Sequence, residues 1–163
     1  DRFGLIQRLE FYGLDDLKAI VQRTASLMEL PLNPEACMEI SRRCRGTPRI
    51  ANRLLRRVRD VATVRGEDSL IDADLVDEAL TLHRVDGRGL DASDRRFLEL
   101  LLESHDGGPA GLETLAAALG EDPSTIEAVV EPFLLQLGFL QRTARGRIVT
   151  NAARRHLGWP EVK

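Results

Sequence analysis

The chain has 163 residues, 43% hydrophobic and 30% charged, with 23 Lys and Arg against 26 Asp and Glu for a net charge of −3. That length holds one ordinary domain or two small ones, the apolar share argues against wholesale disorder, and no apolar run nears the roughly 18 residues of a membrane helix. Asp1-Arg2-Phe3-Gly4 does not have the form of a signal peptide, so a cytoplasmic protein without membrane contact is expected; the missing initiator methionine points to a piece of a longer chain.

Helical signals come first. Asp15 is placed to cap a helix through Leu17, Ile20, Val21 and Met28, whose apolar residues recur at three- and four-residue steps. Asn33-Pro34 pairs an N-cap residue with proline at the first helical position, opening a helix to about Cys44 that Gly46 ends. Thr47-Pro48 repeats the signal with Thr47 as cap. The helix after it carries Ile50, Ala51, Leu54, Leu55, Val58 and Val61 inward and stops near Gly66, and Asp72 caps a fourth through Leu75, Val76, Ala79 and Leu80. These four predict a small bundle. Residues 84–93, with two glycines and few apolar groups, have the composition of a linker.

Beyond it a helix from about Ser93 to Ser104 is broken by Gly107-Gly108-Pro109. A short helix from Leu112 to Leu119 stops at Gly120, and another starts at Pro123, with Pro132 inside its apolar pattern predicting a kink or a break. Two short β-like runs, 138–142 and 147–150, then flank Ala144-Arg145-Gly146, where glycine supplies the positive φ of a tight turn. Three helices and a basic hairpin follow the order of a winged helix; the other reading is a helical domain with an incidental hairpin.

Charge is segregated along this order. Arg42 to Arg59 holds eight arginines and no acid, Asp86 to Glu131 holds eleven acids against three arginines, and Gln141 to Arg155 holds five arginines and no acid. Two basic stripes around an acidic stretch indicate two modules with different partners. Cys37 and Cys44, seven residues apart, are separated by roughly 10 Å of rise on one helix, beyond the reach of a disulfide. His83, His105 and His156 are scattered, so no metal site is expected.

Gly46-Thr47-Pro48-Arg49 is the sharpest local feature. Free amides and the macrodipole at a helix start favour an anion, and an arginine there adds a bidentate donor for phosphate oxygens; pairing of Arg49 with a nearby carboxylate is the other reading. Tyr12, the single tyrosine, either flanks a ligand or half-buries in the core. Arg53, Arg56, Arg57 and Arg59 fit a solvated face, partner contacts or nucleic-acid contacts. Arg142, Arg145 and Arg147 surround the hairpin tip, within reach of a DNA backbone or minor groove, or simply keep the hairpin soluble. If all five arginines of that stripe met phosphates, the salt slope would be at most about −4.5, a weak grip with little sequence preference. No nucleophile–base pair and no Walker-type phosphate loop occur.

Three long motifs carry a resemblance. DRFGLIQRLEFY (1–12) is similar to the end of the large ATPase domain of the RuvB family of AAA+ motors, GTPRIANRLLRRVRDVA (46–62) resembles its sensor-2 helix, and 107–147, ending in QRTARGR, resembles its DNA-binding head. The resemblance implies a mainly α fold: a four-helix AAA+ small (lid) domain, then a winged-helix domain with a short β-hairpin. The implied organisation is 1–12 as the end of the large domain, 13–84 as the small domain, 85–92 as linker and 93–163 as head.

It also implies function. Arg49 would reach the γ-phosphate of ATP, Tyr12 would line the nucleotide site, and Arg2 would help read ATP at the subunit boundary. Arg142 and Arg147, with Arg145 between them, would contact DNA. The parent would be an ATP-driven DNA translocase that moves Holliday junctions in recombination, repair and the SOS response, as a homo-hexamer with RuvA and RuvC on duplex arms. Walker A, Walker B and the magnesium site belong to a large domain absent from this sequence, so the chain holds no catalytic residue and should not hydrolyse ATP by itself. Two rivals are an AAA+ origin-binding or winged-helix regulatory DNA-binding protein, which would need basic readers that the acidic 124–137 segment does not offer, and a protein-interaction adaptor.

Overall fold

The computed structural model describes residues 10–66 and 70–162. The chain divides between Leu90 and Asp91 into two compact units and is mainly helical, with a two-stranded antiparallel hairpin.

The first unit consists of α1 (Leu14–Leu27), α2 (Pro34–Arg43), α3 (Pro48–Arg65) and α4 (Ala73–Leu82). The α1 helix packs on α2 and α3, which both pack on α4, and Val21, Ile40, Leu55, Val58, Val76 and Leu80 lie in the shared core with no exposed surface. Asn33 caps α2 by accepting from the Ala36 amide at 2.7 Å, and Asp72 caps α4 by accepting from the Leu75 amide at 2.9 Å. Asp15 is not a cap: Gly13 holds that position, and Asp15 and Asp16 sit in the first turn of α1, where their charge complements the positive helix end. Residues 85–90, at the start of the expected linker, make defined contacts with the first unit. Asp86 accepts from the Leu90 amide at 2.9 Å, Arg45 donates to the Gly89 carbonyl at 3.2 Å, and Val85 and Leu90 are buried.

The second unit opens with α5 (Ala92–His105), whose start is set by the Asp91–Asp94 capping box, one residue before the Ser93 expected from the sequence. After α6 (Leu112–Leu119) come α7 (Pro123–Thr125), a π-helical turn (Ile126–Val130) and α8 (Glu131–Gln136). Pro132 therefore does not break the helix. Its ring clashes with the carbonyl four residues back and it has no N–H to give; the helix widens instead, so that the Glu131 amide donates to the Ile126 carbonyl, five residues back.

The hairpin pairs β1 (Leu140–Thr143) with β2 (Gly146–Val149) in the register Leu140–Val149, Gln141–Ile148, Arg142–Arg147 and Thr143–Gly146. Gly146 has φ +133°, and a Cβ there would run into the Ala110 carbonyl, because Ala110 bridges Arg147 through hydrogen bonds of 3.1 and 2.8 Å. Helix α9 (Asn151–His156) closes the unit. The buried set Phe97, Leu101, Leu115, Ile126, Leu134 and Leu140 joins helices and hairpin in its core.

Candidate functional site

The first candidate lies at the start of α3. Proline at the first helical position fixes the entry, and Thr47 takes the N-cap place without capping: its hydroxyl donates to the Arg45 carbonyl at 3.0 Å rather than accepting from α3. Pro48 has no N–H, and the Ile50 and Ala51 amides donate to the Thr47 carbonyl at 3.1 and 3.0 Å, so among the described residues the first turn of this 18-residue helix keeps the Arg49 amide as its unclaimed donor. Arg49 projects from it, exposed, and among the described residues its guanidinium has no hydrogen-bond or ion-pair partner. Among the described residues, then, no carboxylate supports the reading in which Arg49 is ion-paired. Asp60, the acid lining the same groove as Arg49, Arg53, Arg56 and Arg57, is held by Arg59 at 3.0 Å.

Tyr12 is brought to this helix start. Its N–H donates to the Gly46 carbonyl at 2.9 Å, and Gly46, at φ +64°, leaves room for Phe11: a Cβ would lie 2.7 Å from the Phe11 Cβ. The Tyr12 ring is half exposed rather than a core residue. Arg2 lies outside the described residues.

Two other arginines of the stripe are structural. Arg43 is buried, its Nη2 group 2.9 Å from Glu39 and 2.8 Å from Asp77, and Arg45 is buried against the Gly89 carbonyl. Nearby, Cys37 and Cys44 are free thiols whose pKa values are raised mainly by burial, which leaves them protonated and unreactive at neutral pH.

The second candidate is the hairpin. Arg142 and Arg147 stand opposite each other, a like-charged pair that repels unless an acid intervenes. Glu131 supplies it from the end of the π turn. Its carboxylate is fully buried and lies 2.5 Å from Arg142 Nη2 and 2.7 Å from Arg147 Nε. Burying that charge is costly, and the two guanidiniums offset the cost. Glu127, half exposed, sits beyond them at 3.6 Å from Arg142 and 3.9 Å from Arg147. Arg142 keeps 43% of its side chain exposed and Arg147 16%, while Arg145 is exposed at the tip.

Arg154 departs from the sequence expectation that all five arginines of this stripe could reach a ligand. It is buried, donating to the carbonyls of Asp106 at 2.5 Å and Pro160 at 3.3 Å, which lowers the upper bound on the salt slope to about −3.6. Sequence reasoning also missed Glu131 and Glu127. The available signal was a glutamate set between Val130 and Phe133, since a charge inside an apolar run calls for a buried partner.

A four-helix bundle that offers an arginine at a helix start, followed by a winged-helix unit with a basic hairpin, defines the class: an AAA-type lid joined to a winged-helix domain. Residues 12–86 match the family model of the RuvB AAA lid domain and residues 87–158 that of the RuvB C-terminal winged helix domain. The chain belongs to the RuvB family. It is 82% identical over 162 residues to the Holliday junction branch migration complex subunit RuvB of Prochlorococcus marinus strain MIT 9303, covering 99% of this chain and 46% of that protein. Its identity to the same subunit of Synechococcus sp. strain CC9311 is 79% over 160 residues, covering 98% and 45%. The Thermotoga maritima RuvB Holliday junction branch migration motor superposes with a TM-score of 0.95 at 47% identity, covering 99% of this chain and 54% of that one. The chain thus spans about half the length of the curated relatives it matches.

Proposed function

We propose that this chain is the nucleotide-sensing small domain and DNA-gripping head of an ATP-driven motor that moves Holliday junctions. Residues 13–84 act as the lid, 85–92 connect, 93–163 form the head, and residues up to Tyr12 end a large ATPase domain. The observation that carries the reading is Arg49: an exposed guanidinium without a partner among the described residues, at the first turn of α3 and beside the Tyr12 backbone. These groups fit a terminal phosphate, since guanidinium, helix end and free donor capacity all favour an anion. Bound between lid and large domain, with magnesium held by the latter, ATP supplies the free energy of phosphoryl transfer. Tyr12 flanks the nucleotide, Arg2 reads it at the subunit boundary, and Arg49 holds its terminal phosphate. Because Arg49 stands on α3, which packs against α1 and α4, gain or loss of that contact moves the lid as a body.

Arg142, Arg145 and Arg147 grip phosphates of the duplex. One head grips weakly, and a homo-hexamer tethers several around one DNA, so avidity holds the duplex while single grips release. RuvA and RuvC join through the complete complex, in the cytoplasm. The acidic 124–137 helix, with Glu127 and Glu131 spent on the hairpin arginines, favours backbone gripping over the sequence-specific DNA reading of an origin-binding or regulatory protein. The test is Arg49→Ala in the full-length protein. ATP-driven junction movement is expected to be abolished with the fold intact, and unchanged turnover would eliminate the sensor role.

A further inference from the structure

Two carboxylates four residues apart on one helical run, one buried and one exposed, meet the hairpin arginines. On the inside, Glu131 Oε2 lies 2.5 Å from Arg142 Nη2 and 3.4 Å from Arg147 Nη2. On the outside, a single oxygen, Glu127 Oε1, faces the same two Nη2 groups at 3.6 and 3.9 Å. Both distances exceed a hydrogen bond and lie within ion-pair range. Glu131 has no exposed side-chain surface, whereas Glu127 is 54% exposed. The buried carboxylate thus aligns the two guanidiniums, and the exposed one meets both Nη2 groups where solvent, and hence another anion, has access.

We propose that Glu127 is a built-in competitor for DNA phosphate, an affinity-setting residue that loosens the grip of each head. This rests on the reading that Arg142 and Arg147 contact DNA. The chemistry is an exchange of anions on fixed donors: the Glu127 carboxylate swings into solvent as a phosphate oxygen replaces it. Its partly exposed position makes the exchange cheap, because an exposed ion pair is weak and well solvated. A head so arranged binds with positioned arginines yet gives back part of the binding energy, which suits a grip that must let go.

The experiment is a titration of a short mixed-sequence duplex, by fluorescence anisotropy, with the chain and its variants at two salt concentrations. Thermal melts report folding. Glu127→Gln keeps size and removes charge; Glu103→Gln, at an exposed site on α5, changes net charge equally and serves as control. The third variant, Glu131→Gln with Arg142→Gln and Arg147→Gln, removes the guanidiniums without stranding a buried charge. Glu127→Gln is expected to tighten binding about three- to fivefold, the worth of one or two weak ion pairs, with a smaller gain for Glu103→Gln. Adding it to the triple variant should gain nothing. The inference is overturned if Glu127→Gln leaves binding unchanged or weaker, matches Glu103→Gln, or gains as much in the triple background. If instead the triple variant binds DNA like the unaltered chain, the hairpin reading itself fails and the inference falls with it.

Discussion

The two arginine-rich regions present their charge in different ways. In the first unit, Arg49 is offered by backbone geometry alone: Gly46, Thr47 and Pro48 turn the chain into α3 and no acid among the described residues claims the side chain. In the second, Arg142 and Arg147 are held by a buried acid, Glu131. An arginine left without an anion answers to whether one arrives, the property a nucleotide sensor needs. An arginine pre-set on a carboxylate holds one geometry whatever the ligand state, the property a repeated grip needs. Each region also spends arginines on its own fold, Arg43 and Arg45 in one and Arg154 in the other, so counts of basic residues overstate what a ligand can touch.

The sharpest way to break this contrast is stability. Arg142→Ala with Arg147→Ala strands Glu131 in the interior, and the second unit should lose about 3–5 kcal/mol, the scale for removing the partner of a buried charge. Arg49→Ala should stay within about 0.5 kcal/mol, as at any exposed site without native contacts. Thermal melts of both variants decide it, and comparable losses would erase the distinction. The smallest effect comes from Asp122, the cap of α7, where the Ser124 hydroxyl and amide hold its carboxyl below the usual carboxylate range. A depressed folded-state pKa contributes stability above the unfolded value, near 3.9, that is lost as pH falls through the folded value. The difference in melting temperature between the native chain and Asp122→Asn should accordingly shrink on acidification below about pH 4, and a difference constant with pH would remove Asp122 from the account.

What the sequence made legible follows the range of the interactions. Asn33-Pro34, Asp72 and Gly120 act on neighbours within a few residues, so the helix starts at 34 and 73 and the end of α6 at Leu119 could be read directly. Gly146 likewise announced the hairpin. Asp15 misled because an acid serves a helix start either as cap or within the first turn, and only the chain before it decides which. Pro132 signalled a disturbance without saying that a π turn would absorb it. Arg49 was legible from Thr-Pro-Arg, yet its lack of a partner was not, and neither was the approach of Tyr12 through Gly46. The Glu131 anchor joins the start of α8 to hairpin residues 11 and 16 positions further on, a pairing that composition and periodicity do not encode.

The central claim is that α3 presents Arg49 to a terminal phosphate contributed from beyond this chain. A structure of the full-length protein with a non-hydrolysable ATP analogue tests it most directly. The account predicts the Arg49 guanidinium within about 2.7–3.2 Å of a γ-phosphate oxygen; a side chain turned to solvent, or locked onto a carboxylate, would contradict it.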